Sequence, residues 1–204
     1  MKHTKLVFAF ILFFSISLIS CKPDVKKTVI SKDKVYSIVP ETTKIGWTAY
    51  KTTDKVAVKG TFTKVDVEVK SASSAKQALN GLKFSIPVSS IFSENEDRDT
   101  KLKKFFFGVM DATEFLTGQL FLDSDTEGKV AIKMNGIEKS LPITYNISGQ
   151  LVTFSGVLNL EDWNAQNAIN SLNKICFELH KGPDGISKTW NEVNIDVSTY
   201  IKVK

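Results

Sequence analysis

The sequence predicts an all-β protein: an antiparallel β-barrel of about eight strands, with one short and one long helix added. Three observations carry this. Apolar and polar residues alternate with period 2 through most of the chain between residues 35 and 160. Turn signals such as Asn80-Gly81, Asn135-Gly136 and Gly149-Gln150 separate the alternating runs. Finally, so many strands with one apolar side must close on something, and an antiparallel barrel does this while removing exposed edges.

The N-terminus stands apart. Lys2, His3 and Lys5 form a basic start, an apolar run from Leu6 to Phe14 follows, and Leu18-Ile19-Ser20-Cys21 closes the segment. Residues 1–20 read as an export signal, too short and wrongly flanked for a membrane span. The ending resembles a bacterial lipobox, in which cleavage before the cysteine is coupled to its acylation, so Cys21 is the expected lipid attachment. The expected location is the cell envelope, lipid-anchored and facing the periplasm. Lys22 stands where some bacteria use Asp for inner-membrane retention, which favours the outer membrane.

Removing residues 1–20 from the 204 leaves 184, enough for one domain with a sizeable core. Removing Lys2 and Lys5 takes the formal charge from +5 to +3. The excess is interspersed with acids, so nucleic-acid binding is not indicated. With Cys21 acylated only Cys176 remains, so no internal disulfide forms; its neighbours Ile175 and Phe177 make it a core thiol.

The elements follow in order. Residues 21–34 are polar and basic without a period, and read as a tether. The folded domain spans residues 35–204. Ile45, Trp47 and Ala49 alternate with polar residues, as do Val56, Val58, Gly60 and Phe62. The apolar parity then switches to Val65, Val67 and Val69, which predicts a bulge near Thr63. Residues 75–79 make a turn of helix, and Leu82, Phe84, Ile86 and Val88 the next strand, limited by Pro87.

Residues 93–107 are the densest charged run, with seven charges between Glu94 and Lys103, and they lead directly into Phe105-Phe106-Phe107. Acids early and lysines late suit a helix dipole, so a short helix delivers aromatic rings to the β-fold. Residues 114–122 and 129–134 form a strand pair, and Asn135-Gly136 a tight hairpin. Ile143, Tyr145 and Ile147 continue it, and Val152 to Leu160 alternate again. Helical spacing then runs through residues 164–180, about five turns, with Asn164 as N-cap and Gly182-Pro183 as stop. Val193, Ile195, Val197, Thr199 and Ile201 make the last strand.

Several motifs together resemble those of the YceI-like family, over residues 35–203. Tyr36-Ser37-Ile38-Val39-Pro40 is similar to the family's opening strand, and Val58-Lys59-Gly60-Thr61-Phe62 to a following one. Arg98-Asp99-x-x-Leu102 followed by Phe105-Phe106 is the strongest match. Gly118-Gln119-Leu120 and the run from Met134 to Ile143 match later strands. Two features depart from the pattern: Thr42 and Thr43 lie where members carry a histidine, and Glu161-Asp162-Trp163-Asn164 replaces an Arg-x-Asp-Phe-Gly motif. The resemblance implies an exported lipocalin-like barrel that buries a polyisoprenoid or isoprenoid quinone. On that reading the candidate lining is Trp47, Phe62, Phe84, Ile86, Phe105, Phe106, Tyr145 and Phe154.

The residues themselves leave alternatives open. Fourteen phenylalanines suit an apolar cavity, but phenylalanine also fills ordinary β cores, which would make a structural or partner-binding envelope protein. Arg98 and Asp99 read either as a polar clamp at the mouth or as a helix-fixing pair; a local salt bridge of Arg98 to Asp97 or Asp99 is the simpler reading. His180 is the one histidine outside the signal, and no nucleophile, zinc or phosphate motif is present in the sequence, so no catalytic residue, metal or cofactor is expected. Asp123, Asp125 and Glu127 lack the rest of a calcium loop and read as an acidic turn.

Overall fold

The computed structural model describes residues 34–204. The expected signal, Cys21 and nearly all of the tether lie outside the described residues.

Ten strand segments make one antiparallel sheet. They are β1 (Tyr36–Lys51), β2 (Val56–Phe62), β3 (Asp66–Val67), β4 (Lys83–Pro87), β5 (Ile91–Phe92), β6 (Phe115–Leu122), β7 (Glu127–Met134), β8 (Ile137–Ser148), β9 (Leu151–Asn159) and β10 (Thr189–Val203). Their order is β3-β4-β6-β7-β8-β9-β10-β1-β2-β5. The hairpin between β7 and β8 turns on Asn135 at φ 51° and Gly136 at φ 71°. A two-residue turn with both centres at positive φ matches the twist of the flanking strands, which is why Asn-Gly sits there.

The ends of this order are pieces of two bent paths. β2 runs on into β3, and β4 into β5. Phe62 pairs with Ile91, but Asp66 pairs with Ser85. Between these pairs three residues on one path therefore face five on the other, and a 3-10 turn at Val88–Ser90 takes up the excess. Thr63 N donates to Ser90 O at 2.9 Å, and Ser90 Oγ to Lys64 O at 3.2 Å. The irregularity foreseen at Thr63 is thus the seam where the sheet curls onto itself, and both strands bend there. Beyond it β3 is only two residues long, shorter than the Val65-Val67-Val69 run suggested, and Val69 is exposed.

A second irregularity lies between β1 and β10. Val39 pairs with Tyr200 and Lys44 with Ser198, so residues 40–43 bulge out. Thr42 Oγ1 donates to Val39 O at 2.6 Å and accepts from Tyr200 N at 2.9 Å. Thr42 therefore ties the bulge to both strands.

Three helices complete the domain: α1 (Ala75–Leu79), α2 (Glu96–Lys101) and α3 (Gln166–Ile175). Asn95 caps α2, its Oδ1 accepting from Arg98 N at 2.8 Å. A π-helical turn at Leu102–Phe106 and a 3-10 turn at Phe107–Val109 continue α2. The long helix foreseen over residues 164–180 is corrected to the 10 residues of α3. Trp163 is buried, and its Nε1 donates to Ile132 O at 3.0 Å. That anchor makes the chain turn sharply, so Asn164 takes a left-handed φ of 52° and ends a 3-10 turn, Leu160–Trp163, instead of capping a helix. At the other end the helix stops at Ile175, and residues Glu178–His180 form a separate 3-10 turn.

Candidate ligand cavity

Period-2 alternation sends one set of side chains from each strand into the barrel. These do not fill it. A cavity of about 170 Å³ runs between Ile45 and Phe62 on β1 and β2, Phe84 and Ile86 on β4, Val130 and Ile132 on β7, Phe154 on β9, and Ile195 and Val197 on β10. Phe62, Phe84, Val130, Ile132, Ile195 and Val197 point inward yet are only half-buried. In a filled barrel such residues would be sealed by each other; here they face a void.

The wall is almost wholly apolar. Its hydroxyls are those of Thr43 and Thr199, whose Oγ1 atoms lie 2.8 Å apart, while Ser155 Oγ is turned outward to Asp196 Oδ1 at 3.0 Å. Among the described residues no charged side chain lines this chamber. A water molecule inside would lack the two to four polar partners it needs, so the physics favours a dry cavity or an apolar guest. The volume is below the ~300–1,000 Å³ of drug-sized pockets and suits a short length of hydrocarbon chain.

Of the aromatic and aliphatic candidates, the structure brings Phe62, Phe84, Ile86 and Phe154 together on this wall. The other four lie elsewhere. Trp47 is on the inward face of β1, but it sits over Gly60 and borders a second chamber. Tyr145 is buried beside Phe154, with ring centroids 5.9 Å apart, and its hydroxyl donates to Ser124 O at 2.6 Å. Burial pushes that phenol's pKa up. Phe105 is half-buried under Lys104, and Phe106 packs edge-on against Phe107 at 4.9 Å, buried in the helical layer. The π-helical turn widens the coil at these residues, and neither ring lines the cavity.

The charged run is also rearranged. Asp97 pairs with Lys101 at 2.6 Å, and Asp99 is buried with Oδ1 accepting from Ser93 Oγ at 2.5 Å. Arg98 has no carboxylate in salt-bridge range among the described residues, so the expected pair with Asp97 or Asp99 is corrected. Arg98 instead lines the second chamber, of about 280 Å³, with Lys51, Lys101, Cys176 and His180. His180 Nδ1 lies 2.7 Å from Thr189 Oγ1. Burial, then Lys51 and Lys101, push its pKa down to about 4, so it is neutral near pH 7. Burial also pushes the Cys176 thiol up, keeping it protonated.

Selecting aromatic residues missed much of the wall. Val130, Ile132, Ile195 and Val197 line it as aliphatics, and strand parity alone marks them. In the acidic turn, Asp123 pairs with Lys129 and Asp125 with Lys76. Among the described residues no group of three or more His, Cys, Asp or Glu is arranged to hold a metal ion.

A curled antiparallel sheet around an apolar void defines the lipocalin-like class of β-barrel. Within that class, a family model described as the YceI-like domain matches residues 36–200, and the chain belongs to this family. Three solved structures share the fold. A polyisoprenoid binding domain from Saccharophagus degradans, implicated in plant cell wall breakdown, superposes with a TM-score of 0.60 at 11% identity, covering 83% of this chain and 98% of its own. BcnA of Burkholderia cenocepacia gives 0.54 at 15% identity, with 81% and 99% covered. A YCEI protein of Campylobacter jejuni gives 0.50 at 16%, with 72% and 85% covered. No curated protein matches the sequence significantly.

Proposed function

We propose that this protein buries the apolar chain of an isoprenoid-type lipid, a polyisoprenoid or isoprenoid quinone, inside its barrel. It does so as a lipoprotein of the cell envelope, anchored through Cys21 and facing the periplasm from the outer membrane. The observation that carries this reading is the ring of inward, half-buried aliphatic and phenyl side chains around a chamber that no charged side chain lines among the described residues. The Saccharophagus domain, of like fold, is named for polyisoprenoid binding. The role read here is binding: among the described residues the wall presents the hydroxyls of Thr43 and Thr199 but no acid, base or activated nucleophile to a guest. Apolar burial of the chain supplies the affinity, at about 0.8 kcal/mol per buried methylene.

Mass spectrometry of organic extracts of the purified protein tests it. The expected result is a co-purified isoprenoid, or uptake of one when offered. Val197→Trp, which fills the chamber from β10, abolishes that uptake while circular dichroism stays unchanged. A protein that carries no lipid and takes none up sinks the proposal and leaves a barrel of structural or partner-binding role.

A further inference from the structure

The second chamber is separate from the first, and its chemistry is different. On β1, Ile45 borders the first chamber, and Trp47 and Ala49 border the second. On β2, Phe62 borders the first and Val58 the second, with Gly60 between them beneath the Trp47 ring. Trp47 is buried, and its Nε1 is turned to Thr61 O at 3.4 Å. The indole is the partition.

Beyond it, Trp47, Leu102, Leu172 and Cys176 form an apolar inner half. The outer half carries Lys51, Arg98 and Lys101 against a single carboxylate, Asp97. Asp97 is already paired with Lys101, and Lys51 Nζ donates to Leu179 O at 3.0 Å. Arg98 is half-buried, and its guanidinium has no carboxylate partner among the described residues. His180 and Cys176 are neutral and add no negative charge. A half-buried guanidinium in a net cationic pocket recognises a carboxylate or phosphate by paired N–H donors.

We propose that this chamber is an anion site for an amphiphile: a carboxylate or phosphate head held by Arg98, with the apolar stem against Trp47, Leu102 and Leu172. Lys51 adds positive charge, and His180 lines the same chamber. The site does not depend on the isoprenoid reading of the first chamber.

Titration calorimetry of the full-length protein with dodecyl phosphate below its micelle concentration tests this, with inorganic phosphate as the second arm. The amphiphile is expected to bind, and phosphate alone to bind far more weakly. Arg98→Gln is expected to weaken dodecyl phosphate about ten-fold, since a charge-assisted contact is lost, and to leave isoprenoid uptake in the first chamber unchanged. Ala49→Phe, which occupies the stem position, is expected to block it. In the parent protein the bound anion raises the His180 imidazole midpoint above about 4, read by NMR. Equal binding by the parent and both variants overturns the proposal, and so does inorganic phosphate binding as tightly as the amphiphile.

Discussion

The Trp47 indole occupies the space that a side chain at Gly60 would need. A Cβ on Gly60 would fall 2.2 Å from Trp47 Cζ2 and 2.7 Å from Phe92 O. The two residues face each other across the β1–β2 ladder. Gly60→Ala is therefore expected to displace the ring and cost about 1–3 kcal/mol through overpacking. Urea denaturation reads the loss, and a red shift in tryptophan emission reads the displaced indole. An unchanged midpoint would show that the ring moves freely and is no partition.

Asn135 joins the β7–β8 turn to the start of the helical layer. Its Oδ1 accepts from Asp111 N at 2.8 Å, and its Nδ2 donates to Trp163 O at 2.8 Å and Asn164 O at 3.2 Å. Asn135→Ala removes all three and places alanine at positive φ. The expected destabilisation is about 2–4 kcal/mol, from unpaired polar groups together with backbone strain. Asn135→Asp keeps only the accepting bond and should fall between, as the denaturation midpoints of the three proteins will show.

His180 makes stability depend on acid. Its folded pKa of about 4 lies below the ordinary value of 6.5, so the unfolded chain binds the proton more readily. Stability is full above pH 6.5 and declines as pH falls toward 4. With solvent screening at this partly exposed site, the decline is roughly 1 kcal/mol. The difference in unfolding free energy between pH 7 and pH 4 should shrink by that amount in His180→Gln. A parent and variant with identical pH profiles would contradict the assignment.

Cys21→Ala tests the proposed anchor. The variant is expected to leave the membrane fraction for the soluble one, since acylation supplies the attachment. Fractionation that still finds it in membranes would remove the lipobox reading.

The barrel was legible in the sequence because alternation constrains a strand strongly: a slip of one residue exposes every apolar side chain. Asn135-Gly136 named its turn, and the parity switch at Thr63 located the seam. Phe62, Phe84, Ile86 and Phe154 were found on the cavity wall because inward parity and size coincide there. Phe105 and Phe106 were not, because a π-helical turn shifts the facing of every later residue and leaves no period in the sequence. The extent of α3 was equally hidden: helical spacing continued to Leu179, but buried Trp163 and Cys176 set where the chain must bend.

What the sequence by itself determined is therefore the class of fold and the family, since both rest on local alternation and short motifs. Tertiary structure alone decided that the barrel is hollow, that Trp47 divides it over Gly60, and that Arg98, among the described residues, stands without a carboxylate partner beside a second chamber. The physical reason is that parity tells only which of two faces a residue occupies. Which inward residues meet, and what space they leave, depends on strand register and on the bends at the seam, where residues far apart in the chain are brought opposite one another.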